Sequence, residues 1–178
     1  SAMGQTLVTA FAVESFSSIA QGDAYNERVG NRIFIRSIRL RYLVQCDIAG
    51  AANVNDNWMR LIIVVDKHGT GTAPTAADIL GNAAQLCGFK NGDPDVGTRF
   101  SIMMDRYIHM GNAVANYAQV PVTTDGQYYW RFKAPLCTTF SSAGTPATNS
   151  IWLLANAASG TAAANPLSCI ASEITYTD

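Results

Sequence analysis

Charged side chains are scarce in this chain: Asp, Glu, Lys and Arg make up 14% of its 178 residues, against about 25% in an ordinary soluble domain. Much of the surface must therefore be covered by neutral groups or by other subunits. Twelve Lys and Arg stand against thirteen Asp and Glu, and that balance excludes a strongly basic nucleic-acid module. No apolar run approaches the ~20 residues that cross a bilayer as a helix, so membrane insertion is not expected. The four cysteines, Cys46, Cys87, Cys137 and Cys169, form no C-x-x-C pair and read as buried or half-buried free thiols. The two histidines, His68 and His109, have neither H-x-H nor H-E-x-x-H spacing, which leaves no metalloenzyme motif. No catalysis is expected. Repeats of roughly 20–50 residues are missing too, which argues against propellers and solenoids.

What the chain does have is apolar content, 48% of its residues, enough to exclude disorder. Much of it alternates. Phe100, Ile102, Met104, Ile108 and Met110 have Ser101, Asp105 and His109 between them, and Tyr128, Trp130 and Phe132 alternate with Tyr129, Arg131 and Lys133. A period of two puts one set on one face of a strand. The near-continuous runs Met59–Val65 and Ile151–Leu154 predict strands buried on both faces. Arg32–Cys46 is rich in Ile, Phe, Tyr, Leu and Val and is long enough for one extended, bulged strand. Leu7–Phe16, Ala115–Val122 and Cys169–Thr177 bring the set to eight.

The segments between are rich in Gly, Asn, Asp, Ser, Thr and Pro: 17–31, 49–57, 67–98, 135–149 and 155–168. One helix is expected, Pro74–Leu80, opened by a Thr-x-x-Asp cap and closed by Gly81. Eight short antiparallel strands predict an all-β sandwich, an eight-stranded single jelly roll, with that short helix in the D–E connection. An immunoglobulin-like sandwich is the weaker option, because its Cys…Trp…Cys framework is missing. Ser1-Ala2-Met3 reads as a cleavage scar before a start methionine. Residues 4–178 then form one domain, long enough to bury roughly 70% of its unfolded surface.

Four blocks in order resemble the capsid proteins of satellite tobacco necrosis virus and of small circular single-stranded DNA viruses. The first is Gln21-Gly22-Asp23, then Arg28-Val29-Gly30, then the strand from Ile33 to Val44. The second runs from Arg60 to Lys67, with Gly71–Thr75 and Ile79-Leu80 after it. Arg99-Phe100-Ser101-Ile102-Met103-Met104-Asp105 is the third, and Ile174–Asp178 the last. The resemblance implies a single jelly roll of which sixty copies form an icosahedral shell around a single-stranded genome, located in the virion. Family members begin with an Arg/Lys-rich arm, and no basic run precedes Arg28 here; truncation of that arm is the favoured explanation. Expected partners are further copies of the chain, the genome (mainly through the arm) and a host receptor.

Five arginines, Arg28, Arg32, Arg36, Arg39 and Arg41, fall within fourteen residues and are the candidates for nucleic acid, since guanidinium forks suit phosphate. Strict alternation puts Arg39 and Arg41 on one strand face and Arg36 on the other. The resemblance implies Ca²⁺ at subunit interfaces, with carboxylate ligands at Asp23 and Asp178 and carbonyl ligands at Val29 and Arg32. Asp66 and Asp105 are expected to satisfy loop backbone or to pair with Lys67, Arg99 or Arg106. Counting strands from Leu7 places the connections 17–31, 67–98 and 155–168 at one end of the sandwich, as small neutral surfaces suited to subunit contact. The alternative is a non-viral jelly-roll module that binds carbohydrate or a receptor, with Tyr128, Tyr129 and Trp130 stacking on a sugar. A cupin-type enzyme ranks third, disfavoured by the two histidines.

Overall fold

From Arg32 to Gln45 the β-branched and aromatic content produces one 14-residue strand, β3. Ile33 and Ile35 point into the core, and so do Ile38, Leu40, Tyr42 and Val44. The inward phase slips by one at Arg36, which both neighbouring strands skip in register. That bulge overturns strict alternation: Arg36 is exposed, like Arg39 and Arg41. In this computed structural model the described residues are 2–6, 12–24, 26–45, 56–69, 72–81, 89–115, 118–121, 123–142, 145–157 and 167–178.

The other strands are β1 (Ala2–Thr6), β2 (Ala12–Ser15), β4 (Asp56–Asp66), β5 (Phe100–Ala115), β6 (Ala118–Pro121), β7 (Thr123–Ser142), β8 (Thr145–Thr148), β9 (Ser150–Ala157) and β10 (Leu167–Thr177). They form two five-stranded antiparallel sheets, ordered β1-β10-β3-β7-β8 and β2-β9-β4-β5-β6. The main core lies between them, with Ile33, Ile38 and Leu40 of one sheet in the same cluster as Leu61, Ile63 and Leu153 of the other. Burial of this apolar surface is the principal stabilising term. The chain is an all-β sandwich.

β4 and β9 are buried on both faces, as their apolar runs predict. Ile62, Val64, Trp152 and Leu154 turn away from the main core into a second cluster with Ala76, Ile79 and Leu80 of helix α1 (Ala76–Leu80). Thr75 caps α1 in a reciprocal box with Asp78, and Gly81 ends it at φ 70°, a left-handed conformation glycine adopts without strain. A second helix, α2 (Pro94–Arg99), has Asp93 as its cap and Pro94 in its first turn. That start signal is present in the sequence, but the expectation of a single helix passed over it.

The described residues hold ten strands, where eight were expected over the whole chain. Part of Leu7–Phe16 lies outside the described residues, and the described part contains β2 and Phe16 just after it. Ala2 and Met3, read as part of a cleavage scar, pair with Ala171 and Ile170 in β1. The strand expected over Ala115–Val122 is instead the end of β5 and a four-residue return, β6, paired to it. β7 extends through 135–142, where small polar residues suggested a loop; Thr138 and Thr139 are polar but β-branched, and they pair with Ile33 and Arg32.

Because β6 turns back on the last residues of β5, it does not cross the sandwich. One connection therefore changes ends. The segments 17–31 and 67–99 leave from the end marked by Asp66, whose Cα partners are Phe100 and Ser150. β9, however, finishes at Ala157 opposite Met59, at the far end. The connection after it does not share an end with the other two. No helix among the described residues is long and apolar enough to cross a membrane.

Candidate nucleic-acid interface

The outer face of β10, β3 and β7 carries the exposed arginines in register. Arg39 sits between Glu173 and Tyr129, and Arg41 between Ala171 and Gln127. Ser37 sits between Thr175 and Arg131, and Leu43 between Cys169 and Asp125. Arg39 makes a 3.5 Å ion pair with Glu173, both side chains about half exposed, and such a surface pair adds little stability. Its guanidinium carbon lies 5.9 Å from the centroid of the Tyr129 ring, and that ring is 57% exposed. Two shallow depressions open on these strands. One is lined by Ser37, Arg39, Tyr129, Glu173 and Thr175, the other by Arg41, Tyr42, Asp125, Gly126 and Gln127. Gly126 admits Tyr42 there: a Cβ at that position would stand 2.2 Å from the Tyr42 hydroxyl.

Of the five candidate arginines, Arg32, Arg36, Arg39 and Arg41 are exposed. Arg28 is different. It is fully buried, and its guanidinium donates to the carbonyls of Ile19 and Gly30 and to Oδ1 of Asn31. It also lies 3.9 Å over the Phe140 ring. Within this fold Arg28 organises the 17–31 connection and is removed from the surface where phosphate could reach it. Tyr129, Arg131 and Lys133 are not among the residues expected to meet phosphate. Their alternation with Tyr128, Trp130 and Phe132 is the signal that locates them, since it sends them outward with Arg39.

Tyr128 is half-buried against the core and donates to the Met103 carbonyl at 3.2 Å. Trp130 shares its inward phase but remains 44% exposed. β8 pairs with β7 only from Thr139 onward, so no described strand flanks this part of β7 on that side. Burial pushes the Tyr128 phenol above its ordinary value near 10. The unfolded chain therefore ionises first, and the stabilising contribution is complete below pH 10 and is lost as pH rises from there towards the raised folded value. Chemical denaturation at pH 9 and above should show this slope, and Tyr128→Phe should flatten it.

The four residues assigned to Ca²⁺ come together only in part. Asp178 Oδ2 accepts the Val29 N–H at 3.0 Å, while the Val29 carbonyl accepts from Gln21 Nε2 at 3.1 Å. Asp23 is exposed in the same connection, and Arg32 begins β3. The Asp178 carboxylate holds one N–H and the Val29 carbonyl one donor, so these residues bring only part of the roughly six or more oxygen ligands that a hard cation takes. Among the described residues no three His, Cys, Asp or Glu side chains converge as metal ligands.

Asp66 pairs with Arg99, as expected, through two bonds of 3.0 and 2.8 Å, and also accepts the His68 N–H. The hydrogen bond to Asp66 holds the Arg99 guanidinium above its ordinary value, with burial opposing it, so that it is charged at any working pH. Asp105 pairs with Arg60, which was not among its expected partners, at 2.8 and 2.6 Å. Cys137 is a half-buried free thiol and Cys169 an exposed one, where burial was expected; Cys46 and Cys87 lie outside the described residues. The chain matches no protein-family model and no curated protein sequence. The class of protein its geometry defines is an all-β sandwich with a basic, aromatic face on one sheet.

Proposed function

We propose that this chain is the shell domain of a viral capsid protein, a single jelly roll that self-assembles around a single-stranded genome. The strand order carries this reading. If β6 and β8 are set aside as edge hairpins, β1-β10-β3-β7 and β2-β9-β4-β5 are the orders that two interleaved Greek keys produce. Surface composition points the same way. Val29, Leu43, Trp58 and Phe89 are large apolar side chains left exposed on one copy, and a charge-poor surface suits repeated contact with neighbours. Arg32, Arg36, Arg39 and Arg41 supply phosphate contacts of the salt-dependent, sequence-independent kind. Asp23 and Asp178 could serve Ca²⁺ only if neighbouring copies brought further oxygen ligands. No catalytic step is part of this reading.

Size-exclusion chromatography with light scattering, followed by negative-stain microscopy, tests it. The expected result is uniform spheres with the mass of sixty copies. A stable monomer or trimer at high concentration, with and without Ca²⁺, would sink the reading and favour a carbohydrate- or receptor-binding jelly roll using exposed Tyr129 and Trp130.

A further inference from the structure

We infer that the outer face of β10, β3 and β7 binds single-stranded nucleic acid by stacking an unpaired base on Tyr129, with Arg41 and Arg131 holding the phosphates beside it. The biological identity of that strand rests on the capsid reading; the binding chemistry does not.

Charge comes first. The exposed cations along β3 and β7 are Arg32, Arg36, Arg39, Arg41, Arg131 and Lys133, while Asp125 and Glu173 are the exposed carboxylates on β7 and β10. Glu173 is engaged with Arg39, whereas Arg41 and Arg131 have no ion-pair partner among the described residues. In a chain of net charge −1 this excess is local, as a polyanion site requires.

Geometry comes second. Neighbouring strands lie about 4.8 Å apart, and residues two apart on one strand about 6.8 Å. Tyr129 therefore has Arg39 directly opposite, Arg131 one step along its own strand and Arg41 on the diagonal. The ring is exposed by more than half, and Arg39 lies near it at cation-π distance. An aromatic platform ringed by forked cations is the arrangement that holds single strands without reading sequence. A duplex keeps its base faces stacked on one another and can offer only phosphates to such a surface.

The test is fluorescence anisotropy with a labelled oligo(dT) 15-mer and the corresponding 15-base-pair duplex, across a salt series. The single strand should bind more tightly than the duplex. Tyr129→Ala should weaken it about 5- to 150-fold, the range that stacking of one base supplies, while Tyr129→Phe keeps the affinity within about twofold. Arg41→Gln and Arg131→Gln should each lower the salt slope by about 0.7. All three positions are exposed, so thermal unfolding of each of the four variants should match the parent. If duplex and polyphosphate compete as well as oligo(dT) and Tyr129→Ala changes nothing, the face is a plain polyanion contact and the inference is overturned. Light scattering on the same samples separates the two ideas: shells that do not bind sink this inference alone, and binding by subunits that never form shells sinks the capsid reading alone.

Discussion

Arg28→Met should lower unfolding free energy by about 3–5 kcal/mol, although arginine is ordinarily a surface residue whose loss is nearly neutral. The side chain is completely buried and serves three acceptors: the carbonyls of Ile19 and Gly30 and Oδ1 of Asn31. Methionine retains the bulk over Phe140 but has no donor, and each hydrogen bond made by a charged group contributes about 1.5–3 kcal/mol. The damage should spread along the connection. Arg28 donates its own N–H to Ala20 and accepts from Gly22, and next to it Val29 donates to Asp178 while the Glu27 carbonyl accepts the Tyr176 hydroxyl. Losing the guanidinium therefore also loosens the last residues of β10. For a chain of this size the loss corresponds to roughly 6–20 °C in Tm. Arg28→Lys should recover only part of it, because an ammonium cannot fork to separate carbonyls or stack flat on a ring. Urea unfolding at unchanged m-value is the measurement. A loss below about 1 kcal/mol, or an oligonucleotide affinity that falls while stability holds, would return Arg28 to the nucleic-acid site.

The strands were largely readable in the sequence because burial repeats every two residues, a local signal. The relations between distant segments were not. Arg28 looks like its neighbours Arg32 and Arg36, and only the fold shows that it is enclosed by the Ile19 and Gly30 carbonyls and Phe140. Arg36 departs from strict alternation because a bulge inserts one residue without a mark in composition. The third connection was given the wrong end because one four-residue return was counted as a full crossing. The candidate site was half legible: Arg39 and Arg41 followed from alternation, but Tyr129 and Arg131 join them only through the β3–β7 register.

The four sequence blocks also acquire a physical meaning, since they are joined in pairs. The first and last meet through Val29–Asp178 and Glu27–Tyr176. The second and third meet through two forks in opposite senses, Arg60 with Asp105 and Arg99 with Asp66. Each of these two blocks thus contributes one arginine and one aspartate. In register terms seven ladder pairs run from Arg60–Tyr107 to Asp66–Phe100, with Met103 skipped at the Ile63–Val64 irregularity, so one fork fastens the Asp66 end of β4 and the other its middle. Fixed spacing between Arg60 and Asp66, and between Arg99 and Asp105, follows from that register.

The Arg60–Asp105 fork supplies the second large effect. Arg60 is 3% exposed and Asp105 33%, so the two partners should respond unequally to loss of the other. Asp105→Leu takes both acceptors from a buried guanidinium, which keeps only its other contacts, including the Tyr107 ring 4.9 Å away. The expected loss is about 3–5 kcal/mol, the usual result of breaking a buried pair from one side. Arg60→Met should cost less, because Asp105 can turn to water. The double variant Arg60→Met, Asp105→Leu should lie within about 1 kcal/mol of the parent, since well-packed apolar residues commonly replace a buried ion pair without loss. A double-mutant cycle in urea reads all three values. Additive losses would mean that the fork is not a coupled unit and that Asp105 acts through some other contact. Strong coupling with a near-neutral double variant would show that the fork sets the alignment of β4 on β5 more than it stabilises the sandwich, and oligo(dT) binding on the opposite sheet should then be unchanged in every variant.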